Sequence, residues 1–154
     1  MFPASPKNPA FEIALKLLNK KALSTKELTL ELDRQELPSS QIDNAIEHLK
    51  ALRYLDDESI GTRLLQEAHR KKRGWLWLRK KLLDRKIDEA QINHIAELAQ
   101  ENEYSNAREN LRKKLRAKNL SRTQAFRFLL NRGFELELVE QLIQQEYNQR
   151  VSRD

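Results

Sequence analysis

The chain contains no cysteine. Disulfides are thereby excluded, and so are metal sites built on thiolates. Only three glycines and four prolines occur in 154 residues, and β-branched residues are few, so material for tight turns and strands is scarce. No apolar run approaches the ~20 residues that a bilayer-spanning helix needs. The first residues, MFPASPKNPAF, lack an apolar core and do not read as a signal peptide. A cytoplasmic location without membrane contact is therefore expected.

Catalytic constellations are also missing. There is no glycine-rich phosphate loop. His48, His69 and His94 fall on three separate expected helices, with neither ligand-spaced acids nor a nucleophile beside them. The acidic run Asp56-Asp57-Glu58 is explained by helix capping and by the favourable placement of negative charge at a helix N-terminus. No catalytic residue, metal ligand or cofactor is assigned, and the chain reads as a binding protein rather than an enzyme.

What remains is rich in Leu, Glu, Lys, Arg, Gln and Ala, all good helix formers. The expected fold is all-α. Apolar residues make up 39% and charged residues 34%, so the chain is expected to be soluble and heavily charged without being depleted of apolar residues enough to be disordered. A helix is expected from about Ala10, with Phe11, Ala14, Leu15 and Leu18 on one face. Ser24 then caps a second helix, Glu27 completes a capping box, and Leu23 and Leu28 stand as a hydrophobic staple. That helix buries Leu28 and Leu32 and stops before Pro38. A third, from about Ser39 to Leu52, buries Ile42, Ala45, Ile46 and Leu49.

The same pattern recurs after about 50 residues and again after about 47. Ser24 falls on Gly74 and then Ser121. Leu28 falls on Leu78 and Ala125, Leu32 on Leu82 and Leu129, Leu37 on Ile87 and Phe134, and Ile42 on Ile92 and Val139. The expected architecture is three tandem three-helix repeats in an elongated, curved array: residues 10–52, 55–101 and 103–149. Residues 1–9 are expected as a mobile arm and residues 150–154 as a tail. Gly133 lies where a helix must end in the left-handed conformation that glycine adopts freely. Its counterparts are Glu36 and Lys86. Either those residues carry about 1 kcal/mol of strain or the turn differs there.

Net charge is +6, unevenly spread. Arg70 to Lys86 holds nine Lys or Arg and one acid, and Arg112 to Arg132 holds eight and none. Asp88 to Glu103 has five acids and Glu135 to Gln149 has four, neither with any Lys or Arg. Units two and three thus each carry a basic elbow and an acidic last helix, while the first unit is balanced. Clustered cations suit a phosphate backbone. Cations near helix C-termini also answer the helix dipole, which accounts for Arg70, Lys71, Lys72 and Arg73. It accounts less well for Arg79, Lys80 and Lys81 in the middle of the next helix. The further candidates for nucleic-acid or partner contact are Arg112, Lys113, Lys114, Arg116, Lys118, Arg122, Arg127 and Arg132.

At about 100° per residue, Trp75 shares a face with Leu78 and Leu82 and is expected in the core. Trp77 lies on the side of Lys80 and Lys81. Two readings are open: it packs against a neighbouring unit, or it is an exposed aromatic suited to base stacking or to a protein interface.

The chain resembles the RecX family, regulators of the RecA recombinase. The likeness is carried by Tyr54-Leu55-Asp56-Asp57, by the basic run into Gly74 followed by Leu78, Leu82 and Ile87, and by Arg127-Phe128-Leu129-Leu130-Asn131-Arg132-Gly133-Phe134. The first unit matches more loosely, through Ser24, Glu27-Leu28, Leu32, Ile42 and Leu49. Residues 10 to 147 are covered. Glycine would be more usual at Glu36 and Lys86, and Phe-Ala at Ile60-Gly61. The resemblance implies three tandem three-helix units without enzymatic activity. It also implies binding in the helical groove of a RecA–single-stranded DNA filament. Filament growth, ATP hydrolysis, strand exchange and co-protease activity in the SOS response would thereby be restrained. The expected partners are the RecA filament and, more weakly and salt-dependently, single-stranded DNA, with the protein monomeric. An autonomous DNA-binding protein of helix-turn-helix type and a protein-only helical scaffold are the alternatives.

Overall fold

The computed structural model describes residues 8–153, with side chains as far as Gln149. The described residues form nine helices and no strand: α1 (Pro9–Lys20), α2 (Thr25–Arg34), α3 (Ser39–Ala51), α4 (Asp57–Arg70), α5 (Trp75–Asp84), α6 (Glu89–Gln100), α7 (Glu103–Ala117), α8 (Arg122–Asn131) and α9 (Leu136–Arg153). The fold is all-α, as expected. Two end regions differ from expectation. Asn8 and Pro9 are not an arm: the Asn8 side chain caps the N–H of Ala10, and Pro9 opens α1, where its missing N–H costs nothing. The rest of the expected arm, residues 1–7, lies outside the described residues. At the other end α9 runs to Arg153, through most of the expected tail.

The helices pack in three consecutive triplets. The first buries Ala10, Ala14, Leu28, Leu32, Ile42, Ala45 and Leu49 together. The second buries Ile60, Ala68, Trp75, Leu78, Leu82, Ile87, Ile92 and Ile95. Ala107, Leu111, Leu115, Ala125, Leu129, Phe134, Val139 and Leu142 form the third core. The apolar slots read from helical spacing are thus the ones that meet. In the second triplet Gly61 is buried in α4, where a Cβ would lie 3.2 Å from the Ile95 side chain, so a larger residue there requires Ile95 to shift.

Local signals fix the helix ends. Ser24 and Ser121 each form a complete capping box, with Glu27 and Gln124 respectively. Asp56 caps α4 through the N–H of Ser59, and Asp88 caps α6 through that of Gln91. After α2, α5 and α8 the chain turns in one geometry. Glu36, Lys86 and Gly133 have φ of 57°, 57° and 90°. Each donates its N–H to the carbonyl three residues back, at 3.0 Å in all three turns. Glu36 and Lys86 therefore hold the left-handed turn of Gly133, with a Cβ that disfavours it.

Neighbouring triplets are fastened by a pattern that occurs twice. The first residue of α4, Asp57, accepts from the backbone N–H of Thr25, the first residue of α2, at 2.9 Å. The first residue of α7, Glu103, accepts from the N–H of Trp75, the first residue of α5, at 2.8 Å. Arg85, after α5, donates to the Ala22 carbonyl at 2.9 Å. Arg132, after α8, donates to the Lys71 carbonyl at 3.2 Å. The Asp57 carboxylate therefore serves the neighbouring triplet's helix as well as supplying charge to the start of its own.

Candidate nucleic-acid interface

The loop from α4 to α5 ends on a contact between backbones. Gly74 donates its N–H to the Arg132 carbonyl at 2.8 Å, and Leu76 donates to the Gly133 carbonyl at 2.9 Å. With Glu103 on the Trp75 N–H, the first amides of α5, which its own helix cannot satisfy, are capped by the third triplet. This contact sets the basic elbow of the second triplet against Arg132, the residue after α8.

Several of the expected cations meet there around two rings. The Lys71 and Lys81 ammoniums lie 5.7 and 5.4 Å from the Trp77 ring. Lys114 and the Arg132 guanidinium lie 5.6 and 5.2 Å from the Phe128 ring. An aromatic face attracts a cation over it by about 0.5–1 kcal/mol at exposed sites. Trp77 itself is half-buried, and its Cβ and backbone lie against Gly133, so the packing reading holds for its base while its ring borders two lysines. Trp75 is buried at 6% exposure, as expected of a core residue. Lys72 sits against Lys113, and that ammonium, followed by desolvation, lowers the Lys72 pKa. Lys71 also pairs with Glu67 at 2.7 Å, and this hydrogen bond holds the Glu67 carboxyl below its ordinary pKa.

Other candidates lie elsewhere or are otherwise engaged. Arg112 is not available to a partner in the same way: it pairs with the buried Glu146 at 2.9 Å and ties α7 to α9. Glu146, through that hydrogen bond and its charge, raises the Arg112 pKa further. Arg73 donates to the Asn131 carbonyl at 3.1 Å. Arg122 borders a separate hollow with Phe126 and Ile143. Arg70, Arg79, Lys80, Arg116, Lys118 and Arg127 are exposed.

Phe128 is a contact residue that the cation pattern does not mark, although Arg127 and Arg132 flank it in an acid-free segment. Glu103 is more than one of the acids of its stretch. It is 6% exposed, and burial, reinforced by the neighbouring Glu135 charge, pushes its pKa up to about 7 against the pull of the Trp75 hydrogen bond. His48, His69 and His94 lie on α3, α4 and α6, and no group of three potential metal ligands occurs among the described residues. No described helix is long and apolar enough to cross a membrane.

No family model matches the chain. It is 28% identical over 141 residues to the regulatory protein RecX of Chlorobium phaeobacteroides (strain BS1), a likeness covering 88% of this chain and 92% of that protein. The crystal structure of RecX from Lactobacillus salivarius superposes with a TM-score of 0.72 at 17% identity, covering 88% of this chain and 93% of that one. A second crystal structure, of a regulatory protein RecX, gives a TM-score of 0.61 at 16% identity, over 86% of this chain and 69% of that one. The resemblance to the RecX family holds in sequence and in fold along nearly the whole chain.

Proposed function

We propose that this RecX-like chain modulates the RecA recombinase, chiefly as an inhibitor, by binding the RecA–single-stranded DNA filament. The observation that carries the reading, beyond the family likeness, is the cationic and aromatic surface shared by the second and third triplets. Lys71, Trp77 and Lys81 stand on one side of the Gly74–Gly133 contact, and Lys114, Phe128 and Arg132 on the other. Three lysines and an arginine around two half-buried rings match what a single-stranded phosphate backbone and its bases offer. The three units, residues 10–52, 55–101 and 103–149, act as tandem repeats that extend along the filament. Binding there restrains filament growth and with it ATP hydrolysis, strand exchange and co-protease activity.

The test is RecA ATPase on single-stranded DNA with purified protein added below stoichiometry. A fall in rate is expected. Lys81→Glu/Lys114→Glu should lose inhibition while keeping helical circular dichroism. No effect of the wild-type chain at stoichiometric amounts would sink the proposal. Tight DNA binding without RecA, and with sequence preference, would favour a helix-turn-helix protein instead.

A further inference from the structure

We infer that the cleft between α4 and α7 binds a phosphate oxyanion, held by Lys72, Arg73 and Lys113. This deepens the surface described above and rests on that reading only for the source of the phosphate.

The cleft has a volume of about 230 Å³, room for a tetrahedral anion and some of its water. Its walls come from His69 in the last turn of α4, from Lys72 and Arg73 in the turn after it, and from Asn106, Asn110 and Lys113 on α7. Glu109 is the one acid that borders it. Three cations against one carboxylate leave the cleft positive, and its free groups are chiefly donors.

Three features distinguish it from an ordinary solvated charge cluster. The first is that Lys72 and Lys113 both line the cleft. Neighbouring ammoniums repel, in keeping with the lowered Lys72 pKa, and the Arg132 charge adds to the repulsion. Glu109 offsets only part of it. A dianion between the lysines turns that repulsion into two charge-assisted hydrogen bonds. The second is Arg73. Its Nη1 is committed to the Asn131 carbonyl, but its Nε–H is buried without an acceptor, a costly state for a guanidinium. An anion in the cleft can supply the acceptor after a small rotation of the side chain. The third is the orientation of the neutral groups. Asn110 donates its amide to the Asn106 carbonyl at 2.8 Å. The Asn106 amide lies 3.4 Å from His69 Nδ1. Each amide nitrogen carries a second hydrogen that these contacts leave over for an anion.

The same chemistry is offered by the phosphodiester of a nucleic acid and by a free phosphate group. The experiment is a ¹H–¹⁵N NMR titration of the full chain with inorganic phosphate, the ionic strength held constant with chloride. The side-chain amide resonances of Asn106 and Asn110 should move and saturate. Lys72→Ala/Lys113→Ala should weaken the binding by about tenfold or more, since each charge-assisted bond is of that order. Lys16→Ala/Lys20→Ala, at exposed positions of α1, removes the same two charges, should leave it unchanged and so controls for net charge. Single-stranded oligothymidylate that moves the same resonances and displaces phosphate makes a nucleic-acid backbone the ligand. Phosphate binding that the oligonucleotide does not displace makes a free phosphate group the ligand. Shifts that fail to saturate, or that persist unchanged in Lys72→Ala/Lys113→Ala, mean general screening and overturn the site. RecA is absent throughout, so failure here leaves the ATPase test unaffected, and the converse also holds.

Discussion

Gly74 and Gly133, from different triplets, touch backbone to backbone. A Cβ on Gly74 would lie 2.5 Å from the Gly133 carbonyl oxygen, and a Cβ on Gly133 would lie 2.8 Å from the Trp77 backbone nitrogen. Neither contact can be relieved by a side chain, because the opposing atoms are main chain or sit beside it. Gly74→Ala should therefore cost about 1–3 kcal/mol through overpacking. Gly133→Ala should cost at least as much, since its φ of 90° adds backbone strain. Urea unfolding of the two variants measures this. A midpoint within error of wild type for Gly74→Ala would contradict the close contact.

Glu36 and Lys86 offer the opposite substitution. Both hold φ of 57° in the turn that Gly133 makes with glycine. Glu36→Gly and Lys86→Gly should each stabilise by up to about 1 kcal/mol, the relief of left-handed strain exceeding the entropy glycine adds to the unfolded chain. The same change at half-buried Glu31, inside α2, which also loses its 2.7 Å pair with Arg34, should destabilise by about 1 kcal/mol or more. Thermal unfolding of the three variants separates the two signs.

The buried Glu103 makes stability depend on pH. Its folded pKa, about 7, lies above the ordinary 4.5, so the folded state holds a proton that the unfolded state has released. Stability contributed by this group is full below about 4.5, declines as pH rises toward about 7, and is flat above. Glu103→Gln keeps an acceptor for the Trp75 N–H and carries no charge. That variant should gain stability relative to wild type at alkaline pH and show a shallower decline between pH 5 and 7. Urea midpoints across that window are the measurement, and equal slopes would refute the assignment.

Arg112 and Glu146 should behave as a structural pair. Removing the guanidinium leaves a carboxylate buried at 8% exposure without its partner, which should cost about 2–4 kcal/mol. The exposed Lys80→Ala should cost less than about 0.5 kcal/mol. The comparison is made by urea unfolding at neutral pH, where a small loss for Arg112→Ala would show that the arginine is free to serve a partner.

The two tryptophans give an optical readout. Trp75 is in the core and Trp77 borders the cationic surface. Binding of oligothymidylate should quench fluorescence in wild type and in Trp75→Phe, and should not do so in Trp77→Phe. Quenching that survives in Trp77→Phe would move the contact elsewhere.

Much of the fold was legible because helix signals are local. Ser24 with Glu27, the spacing of Trp75, Leu78 and Leu82, and the stop at Gly133 each depend on neighbours within one or two turns. The fastenings between triplets were not legible. Thr25 with Asp57, Trp75 with Glu103, and Arg85 with Ala22 are far apart in sequence, and they meet only once the stacking angle is set. The same reason hid the candidate site. A count of cations along the chain finds Arg112 and Lys114 alike, but only the packing of α7 on α9 commits the first to Glu146 and leaves the second beside Phe128. Phe128 itself reads as one more apolar residue of α8 until the partner ring face is seen.

The twice-used fastening has a bearing on ancestry. The second and third triplets each bring a carboxylate on the first helix and an arginine after the second, and at both junctions the triplet before supplies main-chain groups: the amide of Thr25 or Trp75 and the carbonyl of Ala22 or Lys71. The first junction adds side chains, the Glu27 carboxylate on Arg85 and the Thr25 hydroxyl on Asp57. Main-chain acceptors survive any change of side chain, and main-chain donors survive any change but proline. A gene segment encoding one such triplet, duplicated in tandem, would therefore yield a copy able to make the main-chain part of this contact with its parent from the start.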